Sequence, residues 1–316
     1  MEHRKFKKLV TALPDELTTA QALKLIEALR ARGDGDEVQT LIEQNLSDDL
    51  KCPRCGASHV QRWGVEHKLQ RYKCMDCGRT FNALTGTPLA RLRHRSGWLR
   101  YSLALNSSLS VRKAATQADV DRTTSFRWRH RFLKAQNASK DQSLIGIVEI
   151  DETFILESCK GQRKLTRDAR KRGGKAEKPG LSSEQIPILI ACDRTGNMID
   201  AVLPDRSEEA VSKVLKDALS KTDALLCMDG DKALIAFAKK QGLEYELIIA
   251  SQGEHVHEKV LHIQHVNSYV SGLKKWLAQF NGVATKYLQS YLGWRRMLDK
   301  KGASLTREGC LTAALG

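Results

Sequence analysis

Residues 144–156 read LIGIVEIDETFIL, an apolar run rich in branched residues with an aspartate, Asp151, set inside it. Side chains of this type at this density predict a buried strand. A carboxylate buried there is costly, so Asp151 needs a partner, a proton or a metal. A second apolar run, ALLCMDGD (224–231), ends in the same way on Asp229. Two aspartates on neighbouring strands can hold Mg²⁺ through oxygen ligands, and a pair of such ions about 3.5–4 Å apart is a clamp for in-line phosphoryl displacement. Taken singly, each aspartate reads as a strand-end or turn residue. Taken together, and with the front of the chain described below, they read as a metal-dependent nuclease-like pair. Glu149 alternates onto the Asp151 face, Glu152 points to the other, and Asp193 and Asp231 read as turn residues.

Outward from this strand, IPILIACDRTG (186–196) and NMIDAVLP (197–204) predict a hairpin around Thr195-Gly196. An amphipathic helix is expected over 207–220, a helix over 232–241, a strand in YELIIA (245–250) and a long helix over 258–280. The order β, β, β, α, β, α, β, α predicts an α/β domain, a mixed sheet with helices on its faces, over 144–300. The stretch 159–180, CKGQRKLTRDARKRGGKAEKPG, interrupts the first two strands and is too polar for a core. It reads as a loop that grips DNA through Arg163, Lys164, Arg167, Arg170, Lys171 and Arg172, with a solvated loop as the alternative.

Upstream lie two cysteine pairs, Cys52/Cys55 in CPRC and Cys74/Cys77 in CMDC, spaced C-x2-C-x18-C-x2-C. Four thiolates at this spacing satisfy tetrahedral Zn²⁺ with no open position, so a structural zinc ribbon is expected over 50–84. A following glycine, Gly56 or Gly78, permits each knuckle its tight turn. Residues 92–138 predict a helix-turn-helix for DNA, with a turn near Ala118–Asp121, Asp121 as N-cap, and a third helix that buries Phe126, Phe132 and Leu133. That helix offers Arg122, Arg127, Arg129 and Arg131 to phosphates or base edges. Residues 1–49 form a helical segment broken by a turn around Gly33 and Gly35; whether it clamps DNA, mediates a dimer or simply packs stays open.

Charge distribution supports a polyanionic partner. Residues 51–135 hold 18 Lys and Arg against 4 Asp and Glu, and residues 159–180 hold 9 against 2. These segments carry +14 and +7, which leaves about −6 for the remainder of a chain of net charge +15. Cations segregated in this way release counterions when they neutralise phosphates. No apolar run reaches the ~18 residues needed to span a bilayer, no apolar leader opens the chain, and the eight cysteines read as reduced thiols and zinc ligands. A cytoplasmic, nucleoid-associated bacterial protein is expected, with no membrane partner.

The chain resembles the DDE-type transposases of bacterial insertion sequences, in the branch with a zinc ribbon and an ISXO2-like catalytic domain. The segments that carry the resemblance are CPRCG…YKCMDCGRTFNALTGTPL, GIVEIDETFI, LLCMDGDKALIAFA and HVNSYVSGLKKWLAQFNGVATKYLQSYLGWRR, spanning about residues 50 to 298. The resemblance implies a ribonuclease-H-like catalytic domain whose third catalytic residue opens the last long helix, with a lysine seven positions later. Asn267 and Lys274 hold those places, so the implied set is Asp151, Asp229, Asn267 and Lys274. Asn stands where Glu is commoner; its amide oxygen can ligate Mg²⁺ but adds no charge. The implied activity is Mg²⁺-dependent cleavage and strand transfer, with Mn²⁺ as a substitute, at terminal inverted repeats and target DNA, by at least a dimer. A DNA-binding regulator or decayed transposase without chemistry, and a stand-alone nuclease, are the alternatives. His255, His257, His262 and His265 crowd the approach to Asn267; they read as loop and helix-face residues near DNA, with a second zinc site as the alternative.

Overall fold

A computed structural model describes residues 2–47, 50–137, 143–165, 182–219, 223–248 and 260–316, together with 167, 168, 170, 174, 176 and 177. It divides into two compact units, residues 1–107, 112–128 and 306–316 in the first and 108–111 and 129–305 in the second.

The first unit begins with helices α1 (His3–Glu16) and α2 (Thr19–Ser47). The turn expected at Gly33 and Gly35 does not occur: α2 runs through both glycines. Each glycine costs about 1 kcal/mol against alanine in a helix interior, but a Cβ on Gly35 would sit 3.5 Å from the Ser96 side chain, so Gly35 lets the 3-10 turn at Arg95–Gly97 approach the helix backbone. Beyond it, Val38 and Ile42 are fully buried.

Strands β1 (Val60–Glu66), β2 (Leu69–Cys74) and β3 (Thr80–Asn82) form an antiparallel sheet in that order. Val60 pairs with Cys74 and Arg62 with Tyr72, as the hairpin reading expects. Helices α3 (Trp98–Asn106), α4 (Val111–Ala118) and α5 (Arg122–Lys134) follow. A three-residue turn, 119–121, joins α4 to α5, and the Asp121 carboxylate accepts from the Thr123 N–H at 2.6 Å, the expected cap. The faces of α5 differ from expectation. Phe126 is 46% exposed, while Trp128, Phe132 and Leu133 are buried. Within the first unit the Trp128 indole stands edge-on to Tyr101 and leaves room for Gly97 alone, since a Cβ there would lie 3.3 Å from its ring.

The second unit carries the mixed sheet: β4 (Gly146–Leu156), β5 (Gln185–Asp193), β6 (Met198–Val202), helix α6 (Glu208–Leu219), β7 (Ala224–Met228), helix α7 (Lys232–Gln241), β8 (Glu244–Leu247), and helices α8 (Gln264–Ala278) and α9 (Leu288–Lys301). The strand order is β6-β5-β4-β7-β8; β4, β5 and β6 are antiparallel neighbours, while β7 runs parallel to β4 and β8 to β7. The element sequence is the one read from the chain, with shorter ends; the last long helix starts at Gln264 and not at 258.

Alternation along β4 sorts the two faces. Val148 and Ile150 join Leu189, Ala191, Ile199, Leu226 and Met228 in one core, covered by Val211 and Leu215 of α6 and by Leu234 and Phe237 of α7. Glu149, Asp151 and Thr153 point the other way, where α8 lies against β4 and β5 and α9 against β6. Of the aromatic residues in these last helices, Trp276, Tyr291 and Trp294 are buried, while Tyr287 is half-buried.

Helix α9 meets the chain at Gly293 so closely that a Cβ would lie 2.3 Å from the Gln136 carbonyl oxygen. Gly293→Ala is expected to destabilise the protein by about 3 kcal/mol, since backbone on the other side cannot give way. Gly272→Ala in α8 meets only the mobile end of Arg295, at 3.5 Å, and is expected to add up to about 1 kcal/mol through helix propensity. Denaturant melts of the two variants check both signs.

The last helix, α10 (Arg307–Leu315), belongs to the first unit, where it packs on α3 and α2. Arg307 reaches Asp34 and Glu37 of α2, each at 2.9 Å.

Candidate active site

The sheet places Asp151 and Asp229 side by side. In the parallel β4–β7 ladder Ile150 is in register with Met228, so the next residue on each strand is an aspartate, on the face opposite the Val148–Ile150 core. Asp151 lies mid-strand in β4, still paired with Ile190 of β5, whereas β7 ends at Met228 and Asp229 is the first residue beyond it. Gly230 follows in a left-handed conformation, φ +93°, and turns the chain into α7. Asp231 caps that helix through the Ala233 N–H at 2.8 Å, and Asp193 is spent on its own hairpin turn, bonded to Thr195 and Asn197. Both act as the turn residues that the sequence predicts.

Of the carboxylates on this face of the sheet, two are taken up, among the described residues, by partners from other elements, while Asp151 is not. Asp200 of β6 is fully buried but accepts from the Tyr269 hydroxyl at 2.7 Å and pairs with Arg296 of α9. Glu149 is 1% exposed and accepts from the N–H groups of His265 and Val266 at the start of α8, at 2.8 and 3.1 Å, with Arg194 at 2.6 Å. Asp151, among the described residues, accepts a hydrogen bond only from the adjacent Glu152 N–H, at 2.7 Å. Burial pushes the Asp151 carboxyl up to about 6 from an ordinary value of 3.8, the charge on Asp229 adding to the rise while the Glu152 N–H and the Lys274 ammonium oppose it. Asp229, Asp151 and Lys274 therefore share one electrostatic neighbourhood.

Lys274 and Asn267 are both exposed on α8. Seven residues apart, they lie two turns from each other on one side of the helix, while Val266, Tyr269, Leu273, Trp276 and Leu277 bury the other. The Asp151–Asp229 pair fits a divalent cation by its chemistry: hard oxygen donors, adjacent like charges, and a carboxyl whose ionised form is disfavoured by burial and by its neighbour's charge.

On the opposite face Glu152, half-buried, pairs with Arg206 at 3.2 Å, and Arg206 also holds Asp231 at 2.5 Å. The sequence reading missed Arg206 and Arg194. Neither lies in a periodic pattern; each is recognised only through the carboxylate it meets in the fold.

The four ribbon cysteines converge. Cys52 Sγ lies 3.8 Å from Cys77 Sγ and Cys55 Sγ 3.6 Å from Cys74 Sγ, all four within 4.8 Å of one another. Zn–S bonds of about 2.3 Å in a tetrahedron place sulfurs about 3.8 Å apart, so the set fits Zn²⁺. The two knuckles repeat one hydrogen-bond pattern: Cys52 N–H to Ala57 O and Gly56 N–H to Cys52 O, then Cys74 N–H to Arg79 O and Gly78 N–H to Cys74 O. Gly56 and Gly78 have φ of +76° and +70°, the conformation for which glycine was read at those positions.

The basic residues divide. Arg122 and Arg127 are exposed and Arg131 is half-buried. Arg129 is corrected: it is 1% exposed, donates to the Leu109 carbonyl at 2.5 Å and lies 5.4 Å from the Phe280 ring, so it is a packing residue with no free face for DNA. In the basic loop Arg163 and Lys164 are exposed. Arg167 is drawn to Glu157 at 3.5 Å, and Arg170 to Glu184 and to the Glu157 carbonyl at 2.7 Å, so these two brace the base of the loop. Lys171, Arg172, His255 and His257 lie outside the described residues. His262 and His265 cluster with Glu149 and Arg194 and are treated below.

A mixed-sheet α/β unit with one aspartate inside the central strand β4 and another just past the adjacent parallel strand β7 is the class of domain that the fold and site define. Residues 143–295 match the ISXO2-like transposase domain. A relative from Halobacterium salinarum, an uncharacterised protein in transposable element ISH50, is 29% identical over 258 residues, covering 79% of this chain and 87% of that protein. The domain match and this relative both support a transposase of an insertion element. Among solved structures, a pre-cleavage Mos1 transpososome aligns at 12% identity over 69% of this chain and 78% of the other, with a TM-score of 0.22. A Mos1 strand transfer complex aligns at 12% over 69% and 77%, also at 0.22. No described helix is long and apolar enough to cross a membrane.

Proposed function

We propose that this chain cleaves DNA at the ends of an insertion sequence and joins the released 3′ ends to target DNA, through a ribonuclease-H-like site formed by Asp151, Asp229, Asn267 and Lys274. The observation that carries the reading is the Asp151–Asp229 pair: an aspartate follows each of the in-register residues Ile150 and Met228, and the half-buried Asp151 carboxyl feels both the Asp229 charge and the opposing Lys274 ammonium. Asp151, Asp229 and the Asn267 amide oxygen would hold Mg²⁺, or Mn²⁺ in its place. When bound, such ions supply activation of the attacking oxygen and neutralisation of charge at phosphorus. Lys274 holds a phosphate of the DNA against the site. Positioning and charge neutralisation then supply most of the rate.

The ribbon and the α4–α5 pair are the DNA-binding front end, with Zn²⁺ structural at Cys52, Cys55, Cys74 and Cys77. Arg122 and Arg127 contact the terminal repeats, Arg131 flanks them, and the loop bearing Arg163 and Lys164 contacts DNA near the site. Two ends must be held together for joining, so the active species is at least a dimer on DNA. Labelled duplexes with the inverted repeats that flank the coding region test the proposal in Mg²⁺. Cleavage with joined product supports it; binding without cleavage supports a non-catalytic regulator, and cleavage without joining a stand-alone nuclease.

Proton competition follows from Asp151. Its carboxyl is raised from 3.8 to about 6, so in the metal-free protein its stabilising effect is complete below about pH 4 and lost as the pH rises through 6. A cation requires the ionised form. Mn²⁺ affinity is therefore expected to be about tenfold weaker at pH 5 than at pH 7, with proton release on binding, as read by titration calorimetry.

A further inference from the structure

We infer that Glu149 is a positioning residue for this site, resting on the reading of Asp151, Asp229 and Asn267 as its ligand set: one buried carboxylate ties the strand that carries Asp151 to the helix that carries Asn267. Glu149 precedes Asp151 by two residues on the same face of β4. Its Oε2 accepts from the backbone N–H groups of His265 and Val266, 116 and 117 residues away. Those donors belong to the first turn of α8, where N–H groups lack intrahelical partners and a carboxylate is favoured. No side chain of α8's own N-cap residue, Ile263, fills that role. The next residue along the helix is Asn267. Glu149 is thus a direct tie between the strand of Asp151 and the turn of α8 that carries Asn267.

The rest of the cluster holds that carboxylate in place. Arg194, from the β5–β6 turn, lies 2.6 Å from Glu149 Oε1, 2.5 Å from His265 Nδ1 and 3.1 Å from His262 Nε2, and donates to the Val260 carbonyl at 2.9 Å. His265 Nδ1 is 2.6 Å and His262 Nδ1 3.2 Å from Glu149 Oε1. Glu149, His262 and His265 bring ligand atoms within 4.8 Å of one another, as a metal site would, but the guanidinium stands among them and supplies the positive charge that an ion would bring. The cluster is an internal ion pair at a helix start.

Mn²⁺ titration of the metal-free full chain tests this, because it reads the site without activity. Glu149→Ala and Asn267→Ala are each expected to weaken Mn²⁺ binding about tenfold, and the double variant to be no weaker than either alone, since both remove one ligand. Glu149→Gln keeps an acceptor oxygen and is expected to fall between wild type and Glu149→Ala; it carries the test if the alanine variant does not fold. His265→Ala keeps its backbone N–H and loses only the ring contact to Oε1, so it should lose less affinity than Glu149→Ala. Additive losses in the double variant, unchanged affinity in both Glu149 variants, or loss of one bound ion per chain in His265→Ala would each overturn the inference. If Asp151→Ala leaves Mn²⁺ affinity unchanged, the site reading itself fails; if it abolishes binding while the Glu149 variants do not move it, the positioning role alone fails.

Discussion

Asp151→Ala should lose at least about a thousand-fold in cleavage of terminal-repeat DNA, with DNA affinity unchanged. The size follows from the chemistry. Removing one carboxylate of a metal clamp forfeits several kcal/mol of charge stabilisation at the transition state, and each 1.36 kcal/mol is a factor of ten in rate. Binding is spared because the exposed cations, Arg122, Arg127, Arg163 and Lys164, lie on other elements. The fold is spared too. Asp151 accepts only the Glu152 N–H among the described residues and is held in an unfavourable charge state by burial and Asp229, so its removal relieves repulsion and the melting temperature should hold or rise. Asp200→Ala is the contrasting control: it lies on the same face but would strand the buried Arg296 and lower stability. Residual cutting by Asp151→Ala at a tenth of the wild-type rate would sink the site assignment.

Loss of the thiolate centre should have an effect of similar size on a different readout. The chain is expected to hold one Zn²⁺, and Cys74→Ser, or prolonged chelation, to unfold the ribbon and weaken DNA binding tenfold or more. Structural zinc contributes about 10–16 kcal/mol in small modules, and little here replaces it. The apolar cluster of the ribbon consists of Cys52, Cys74 and Phe81, with Leu46, Leu50, Ala57, Val60 and Tyr72 partly buried around it. Two of its three buried members, Cys52 and Cys74, belong to the proposed zinc site. β1 is almost wholly exposed. Elemental analysis and filter binding of wild type and variant check the expectation; a metal-free wild type with full DNA affinity would contradict it.

Local signals account for most of what was legible. The cysteine spacing, with a glycine after each pair, defines the knuckles because ligand geometry and positive φ are properties of a few adjacent residues. The strand and helix order of the second unit follows from runs of branched residues and from helical periodicity, and the element ends differ because end residues are chosen by caps and neighbours. The failures have the same physical root. Phe126 looked like core and Arg129 like surface, but which face of a helix is covered is decided by what packs on it, and Trp128 and Phe132 took the inward positions. Gly33 and Gly35 looked like a turn, but the close approach of Ser96 gives Gly35 a role inside a continuous helix.

For the site, Asp151 was legible as an acid inside an apolar run and Asp229 as one ending another, and Asn267 and Lys274 through resemblance to a family. Their grouping was not. Register between β4 and β7 puts the two aspartates abreast, and no local property of either run specifies that register. The fates of Glu149, Asp151 and Asp200 differ for the same reason: acids on one sheet face are alike in sequence, and only the helix start, Arg194, Arg296 and Tyr269 that reach them from distant segments decide that, among the described residues, Glu149 and Asp200 are paired while Asp151 is not.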